Sequence, residues 1–501
     1  MNIAVAKQQV KDTIEAYLAT DEHGRPLLDA SRQRPVFLVG APGIGKTAIM
    51  AQIAQELGIG LVSYSMTHHT RQSALGLPFI VHEEFEGHAY EASEYTMSEI
   101  IGSVYDYMRK SGVRRGILFL DEINCVSETL YPSMLQFLQF KTFGRHAVPE
   151  GWIIVTAGNP PEYNKSVHEF DIVTLDRVKK ISVEPDFAAW KAYAQAKGTH
   201  PAVLTFLDIK KNRFYSVEAS LDGKSFVTAR GWDDLSDMMG VFERLGKPVG
   251  LDLIVQYVQN ETIAREFAAY YDLFNKYRDD YRIDDVLAGA DAADVIERAS
   301  QAEFDERLSV VGLLLDAVCG EMDAVMEETD VLVALRDDLR AVKAAVEEGG
   351  DVRQLLEEAA RERASRLDLS VAAGTLSKRR RNVWERGLEG LAAFARLAEG
   401  SGSSEARFED VAREFAKQGS ALKEQAAWVE ERLARAFGFV EASFGDAQEM
   451  LVFTTELTSR SGSARYLAQY GSPTYFEHNT DMILSERQRE LRRRVEDLDI
   501  Q

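Results

Sequence analysis

Cysteine is almost missing from this 501-residue chain. Cys125 and Cys319 lie far apart, fit no metal-ligand spacing and exclude a disulfide framework; each reads as a small packed residue. Long uncharged apolar runs are missing as well, so no stretch has the length of a membrane-spanning helix. The opening Met1-Asn-Ile-Ala-Val-Ala-Lys7 lacks the basic start and apolar stretch of a secretory leader, and the expectation is a cytoplasmic protein. Basic residues are in deficit, 58 against 80 acidic, for a formal charge of −22. That balance argues against general attraction to nucleic acid, which needs a basic face to release counterions. The dense basic clusters, Lys378-Arg-Arg-Arg381 and Arg487 through Arg494, sit among carboxylates on expected helices and read as solvated faces or contacts to acidic neighbours. A hydrophobic share of 45% is ordinary for a globular chain, and the length calls for two to four domains.

What the chain does have is Gly40-Ala-Pro-Gly-Ile-Gly-Lys-Thr47, between the apolar run Pro35-Val-Phe-Leu-Val39 and the helix-like Ala48 to Leu57. Strand, glycine-rich turn and helix are the context that the phosphate-binding loop pattern requires. Glycines at 40, 43 and 45 permit backbone angles and close approach that a Cβ would block, so successive N–H groups can face phosphate oxygens. The helix N-terminus adds its positive end. Gly40, Ala41, Pro42, Gly43, Ile44, Gly45, Lys46, Thr47 and Ala48 are therefore the expected nucleotide-binding set. Lys46 would reach the β- and γ-phosphates, and the Thr47 hydroxyl would ligate Mg²⁺.

A second motif is Arg115-Gly-Ile-Leu-Phe-Leu-Asp-Glu-Ile-Asn124. Its apolar run suits a strand buried on both faces of a parallel sheet. Asp121 and Glu122 follow at the C-terminal end, where open α/β sheets bind ligands. Two adjacent acids after a buried strand are costly without a cation or a reaction to serve. Asp121 is placed to hold Mg²⁺, mostly through water, and Glu122 to orient and deprotonate an attacking water. A third strand, Trp152-Ile-Ile-Val-Thr-Ala-Gly158, ends in Asn159 before Pro160-Pro161. Its amide reads either as a turn former or as a holder of the lytic water opposite Glu122.

Between these motifs lie smaller features. Val5 to Leu18 has helical spacing and is expected near the nucleotide base, and Ile59 to Ser65 reads as a strand. His68-His69 invites a metal hypothesis, but no further ligands appear at usable spacing, so surface or interface residues are the better reading. Phe79 to Ala92 alternates around Gly87 and predicts a β-hairpin, and Phe140 to Trp152 predicts a second small one.

The order GAPGIGKT, ILFLDEIN, VTAGNPPEYN and then Leu175-Asp-Arg-Val178 resembles AAA+ ATPases and, within them, the MoxR-like branch. That branch carries an insert before the helix of the second motif and a hairpin before the asparagine strand, which the two expected hairpins match. The resemblance implies that ATP is the nucleotide, that Asn159 is the sensor-1 residue, and that Arg177 is an arginine finger reaching the γ-phosphate held by a neighbouring subunit. The alternative for Arg177 is a helix-start residue in an ion pair, with Arg145 then the fallback finger. Thr228-Ala-Arg-Gly-Trp232 looks like the sensor-2 site, with Arg230 contacting nucleotide, although the family's usual serine and proline before that arginine are threonine and alanine here. A ring, commonly a hexamer, is implied, as is a protein partner with a von Willebrand factor A domain.

The expected fold is an α/β P-loop NTPase core with a parallel sheet flanked by helices (residues 1–184). A helical lid with a hairpin-like insert at Asn212–Phe226 follows (185–277), and then an all-α C-terminal extension (278–501). In the extension Val331, Leu332, Leu335, Leu339, Val342 and Val346 form an apolar stripe closed by Gly349-Gly350. Val352, Leu355 and Leu356 resume it, predicting an antiparallel helical hairpin. More amphipathic helix is expected from Phe408 to about Phe437, without heptads long enough for a rod. Arg465 to Phe476 reads as a turn-rich aromatic patch. The resemblance covers a little over half the chain, and its functional implication is Mg²⁺-dependent ATP hydrolysis that remodels or matures a partner protein. The rivals are a DNA-directed motor of a defence or restriction system, disfavoured by the acidic balance, and a nucleotide-gated assembly scaffold.

Overall fold

The computed structural model describes residues 1–68, 74, 76–86, 88–163, 167–220, 223–290, 292–372 and 376–479. His69, Gly87, Asn164 and the cluster Arg487–Arg494 lie outside the described residues. The chain divides into two compact units. The first holds Met1–Ala189 with Thr228–Arg230 and Ala364–Arg381, and the second holds Trp190–Val227, Gly231–Arg363 and Asn382–Gln501.

In the first unit, strands β1 (Val36–Gly40), β2 (Gly60–Ser65), β5 (Gly116–Asp121), β8 (Trp152–Gly158) and β9 (Lys179–Val183) form a parallel sheet in the order β2-β5-β8-β1-β9. Parallel strands must be covered on both faces, and their sequences accordingly read as continuous apolar runs rather than alternations. Leu118 and Leu120 of β5 join a core with Ile100, Ile101 and Val104 of α3 (Glu99–Ser111) and Met134 and Phe137 of α4 (Tyr131–Phe140). The alternate residues Ile117 and Phe119 are equally buried, and α2 (Lys46–Leu57) packs against β5 and β2. The opening helix α1 (Ile3–Leu18), capped by the Asn2 side chain, packs against α2 and β9.

Both expected hairpins are present. β3 (Pro78–Phe85) pairs antiparallel with β4 (His88–Tyr95), and the short β6 (Thr142–Phe143) with β7 (His146–Ala147). One cross-strand row shows how tightly the sheet is fitted. Gly60, Gly116 and Trp152 stand side by side, and Tyr107 meets the Trp152 ring edge-on at 5.5 Å. A Cβ on Gly116 would lie 2.6 Å from the indole and 2.8 Å from the Gly60 carbonyl oxygen. Only glycine leaves room for the ring there. The four-residue α5 (Ile172–Leu175) precedes β9.

The second unit carries most of α6 (Phe187–Lys197), then α7 (Pro201–Ile209), the hairpin β10 (Ser216–Ser220) with β11 (Gly223–Val227), and α8 (Ala229–Arg244). α9 (Leu251–Tyr257) and α10 (Glu261–Tyr281) follow. Phe206, Trp232, Phe267 and Tyr270 form an aromatic core, with the Trp232 indole N–H donated to the Phe214 carbonyl at 3.2 Å. The composition boundary at residue 277 falls inside α10, whose backbone continues to Tyr281 before Arg282 turns it at φ +42°.

Beyond it come α11 (Ile283–Ala288), α12 (Ala293–Gln301), α13 (Phe304–Glu347), α14 (Val352–Ala372), α15 (Lys378–Leu397), α16 (Ser404–Phe444), α17 (Gln448–Ser459) and α18 (Ser461–Tyr470). The expected helical hairpin exists: Arg363 of α14 pairs with Asp338 of α13 and donates to the Ala334 carbonyl. Its first arm is far longer than the stripe suggested, 44 residues, or about 66 Å at 1.5 Å per residue. The upstream half carries no stripe because Val310, Val311, Leu313, Leu314, Leu315, Val318 and Cys319 are buried around the whole circumference; α7, α10, α16, α17 and α18 all pack on α13. α16, at 41 residues, likewise exceeds expectation, so long helices form here through lateral packing rather than heptads. The turn-rich reading of Arg465–Phe476 is corrected. The segment is helical to Tyr470, breaks at Gly471 (φ +77°), and turns helical again from Pro473. Tyr466 is fully buried and donates its hydroxyl to the Ala426 carbonyl at 2.7 Å.

Among the described residues no helix is long and apolar enough to cross a membrane.

Candidate active site at the sheet's C-terminal edge

Parallel pairing brings the C-terminal ends of β1, β5 and β8 to one edge of the sheet. The three sequence motifs therefore converge although they are far apart in the chain. β1 ends at Gly40, where a Cβ would lie 2.5 Å from the Val183 carbonyl oxygen. Gly43 (φ +71°) and Gly45 (φ +96°) then take left-handed conformations that turn the backbone into α2, geometry that other residues adopt only with strain. Lys46, the first residue of α2, is 8% exposed. Its Nζ donates to the carbonyls of Gly40 and Ala41, both at 2.8 Å, and to Asn159 Oδ1 at 2.9 Å.

These three acceptors are neutral oxygens, so the ammonium is only partly compensated. Burial lowers its pKa to about 8; the Asp121 carboxylate opposes that shift, Arg230 adds to it, and Glu122 opposes it. A buried, under-compensated cation at a helix N-terminus lined by backbone N–H groups is a site built to receive an anion. The Thr47 hydroxyl donates to Asp121 Oδ2 at 2.8 Å. Together they offer a hydroxyl and a carboxylate at the same edge, a hard-oxygen pair of the kind Mg²⁺ uses alongside phosphates and water.

Glu122 follows Asp121 in a left-handed conformation (φ +56°), which costs a non-glycine residue about 1–3 kcal/mol. Its N–H is donated to Asp121 Oδ1 at 2.9 Å, and its Oε2 accepts from the Ser65 hydroxyl at 3.2 Å. The kink separates the carboxylate from the strand direction of Asp121. Asn159 stands across from this pair at the end of β8, its amide oxygen on Lys46. Arg230 joins the same edge through its backbone, donating its N–H to the Gly43 carbonyl at 3.0 Å, while its side chain is exposed. Neighbouring Thr228 lies so close that a Cβ on Gly43 would come within 2.8 Å of its hydroxyl oxygen.

Residues 36–162 match the model of the ATPase family associated with various cellular activities. This segment is an AAA domain. Proteins of that family are in general ATPases, and the match spans β1, the phosphate-loop motif, the acidic pair and Asn159. No curated protein matches the chain.

Two arginines stand apart from the cluster. Arg177 is exposed just after α5 and precedes β9, whose first residue Lys179 lies beside Val36. The loop of the AAA domain begins at the other end of β1, beyond Gly40, four residues or about 13 Å further along the sheet. Arg177 therefore sits at the edge opposite the Lys46 cluster of its own chain. Near it, Asp171 accepts from the Thr174 N–H at 2.8 Å; hydrogen bonding from Thr174, with a smaller contribution from Arg177, holds its carboxyl below the usual value. Ile172 and Val173 beside it are 85% and 56% exposed. Arg145 pairs with Glu94 on the β3–β4 hairpin. His68 ends a 3-10 turn begun at Met66.

Two residues of the AAA domain, Ser65 and Asn124, have roles that sequence reasoning missed. Ser65 is aligned with Asp121 in the β2–β5 register, a relation visible only once strand order is known. Asn124 is 5% exposed and donates its Nδ2 to the Asn159 carbonyl at 2.8 Å. Its one sequence signal is an amide between Ile123 and Cys125 where the surrounding residues are packed.

Proposed function

We propose that the chain is a Mg²⁺-dependent ATPase whose active site is shared between subunits of a ring, and that it remodels or matures a partner protein. One observation carries the catalytic reading. The Lys46 ammonium lies buried among the loop carbonyls and Asn159, beside the hydrogen-bonded pair Thr47–Asp121, with Glu122 next in the chain. In this reading the N–H groups from Gly43 to Ala48 and the Lys46 ammonium bind the phosphates, and Thr47 and Asp121 would hold Mg²⁺, which would supply neutralising charge beside the γ-phosphate. Glu122 accepts the proton of the attacking water, and Asn159 orients that water from the opposite side.

Arg230 contacts the nucleotide of its own chain, supported by its backbone bond to Gly43. Arg177 acts on the nucleotide of the next subunit. Its place at the far edge of the sheet, beside the exposed Ile172 and Val173, supports a role in trans. Family members often form hexameric rings, and a hexamer is the assembly we propose. The motif order, with one hairpin between β2 and α3 and another between α4 and β8, supports the MoxR-like branch. A partner bearing a von Willebrand factor A domain follows from that branch.

The test is mass by light scattering with and without ATP and Mg²⁺, alongside phosphate release, on wild type, Glu122→Gln and Arg177→Ala. Nucleotide-dependent rings are expected for the first two, with turnover in Glu122→Gln down about 100-fold or more and hydrolysis lost in Arg177→Ala. A monomer in every condition that still hydrolyses ATP without Arg177 overturns the shared site, and wild type without ATP hydrolysis overturns the enzyme reading.

A further inference from the structure

We infer that Asn124 is a positioning residue for hydrolysis, holding the main chain of Asn159 so that the turn carrying Glu122 and the end of β8 move as one piece. The inference rests on the ATPase reading above.

Asn124 sits in the 3-10 turn Ile123–Cys125, which starts at the left-handed Glu122 and is closed by the Cys125 N–H on the Glu122 carbonyl at 2.9 Å. Its side chain crosses to the neighbouring strand and donates Nδ2 to the Asn159 carbonyl at 2.8 Å. Asn159 in turn accepts from Lys46 through Oδ1. Three residues from three strand ends are thus joined in series, with Asn124 tying the acidic turn to the asparagine that faces Lys46. The Asn124 carbonyl also accepts the His168 N–H at 2.8 Å, so the turn is fixed from both its side chain and its backbone.

The other half of the amide shows that this is more than packing. Asn124 Oδ1 is buried and accepts no hydrogen bond in the structure, a condition costing about 1–3 kcal/mol. Rotating the amide by 180° would not relieve it, because Oδ1 would then face the Asn159 carbonyl oxygen. An apolar residue of similar volume would avoid the cost but could not donate. β8 is also shaped around the amide. A Cβ on Gly158 would lie 2.3 Å from Oδ1 and 2.7 Å from Cγ, so β8 needs glycine at 158 to admit Asn124.

Asn124 touches neither the phosphate cradle nor Thr47, so its loss should impair the chemical step and leave nucleotide binding intact.

The experiment uses the full chain: wild type, Asn124→Ala, Asn124→Asp and Gly158→Ala. The readouts are kcat by phosphate release and Kd for a fluorescent ATP analogue with Mg²⁺. The expected result is a fall in kcat of about 10-fold or more in all three variants, with Kd within about twofold. Gly158→Ala keeps every polar group, so it carries the test if the Asn124 variants fail to fold. Unchanged kcat in folded Asn124→Ala, or kcat and affinity falling by the same factor, overturns the inference. Wild type that does not hydrolyse ATP overturns instead the reading beneath it.

Discussion

Raising the pH from 7 to 9 should loosen nucleotide binding through one side chain. Lys46 is buried, and burial lowers its pKa to about 8 against the stabilising pull of Asp121 and Glu122. Phosphate oxygens need the ammonium, so nucleotide binds the protonated form and the apparent Kd rises as the free protein loses that proton. With a midpoint at 8, about 90% of the free protein is protonated at pH 7 and about 10% at pH 9, which predicts affinity weaker by about 10-fold, or 1.4 kcal/mol. Isothermal titration with a non-hydrolysable ATP analogue and Mg²⁺ at both pH values measures it. Repeating the titration at pH 8 in buffers of different ionisation enthalpy should show uptake of about half a proton per nucleotide bound. Arg230 lowers the Lys46 value, so Arg230→Ala should move the fall in affinity to higher pH. Equal affinity at pH 7 and 9 with no proton uptake would refute the argument. The linkage to folding has the opposite sense. The folded value lies below the ordinary 10.5, so the unfolded chain binds more protons between pH 8 and 10.5. Lys46 therefore makes ligand-free stability rise with pH across that window.

Gly116→Ala should destabilise the first unit by about 1–3 kcal/mol through overpacking, because its Cβ would meet the Trp152 indole and the Gly60 backbone oxygen. Thermal unfolding of the variant reads this out, and an unchanged Tm would show that the sheet has slack there. In the second unit, hydrogen bonds from His200 and then Tyr271 hold Glu243 down to about 2, against the opposing effect of burial. That stability is fully present above the ordinary value of 4.5 and lost as pH falls toward 2. Glu243→Gln should then cost about 1–2 kcal/mol at pH 7, after allowing for solvent screening, and nearly nothing near pH 2. A constant difference across that range would refute it.

The core was legible because its chemistry is local in sequence. Glycine spacing at 40, 43 and 45, two acids after Leu120 and an asparagine after Gly158 each mark a strand end without reference to the others. Periodicity was enough for both hairpins of the first unit. It failed at Phe304–Met326, where a helix surrounded by other helices shows no face to water and hence no stripe. It failed again at Arg465–Tyr470, where a segment rich in tyrosine is helical because Tyr466 reaches a carbonyl of α16. Ser65 and Asn124 were hidden for another reason: their roles depend on which strands are neighbours, and that order is not written in any one segment.

The arginine–carboxylate pairs along α13 fix its alignment in the bundle. Arg432 of α16 meets Glu321, Arg386 of α15 meets Glu328, Arg465 of α18 meets Asp330, and Arg363 of α14 meets Asp338. The more exposed of these pairs, those of Arg386 and Arg465, add little to stability. The spacing of the whole set does something else. Sliding α13 by one turn, four residues either way, would set Arg432 against Val325 or Ala317, Arg386 against Leu332 or Ala324, Arg465 against Ala334 or Met326, and Arg363 against Val342 or Ala334. The four contacts would be broken, and Arg432, its side chain 8% exposed, would keep only Asp284 of α11 at 3.8 Å. The pairs work like the wards of a key, admitting one axial setting. A helix of about 66 Å held this way can tilt but cannot slip, so a tilt of 5° at one end displaces the other by about 6 Å.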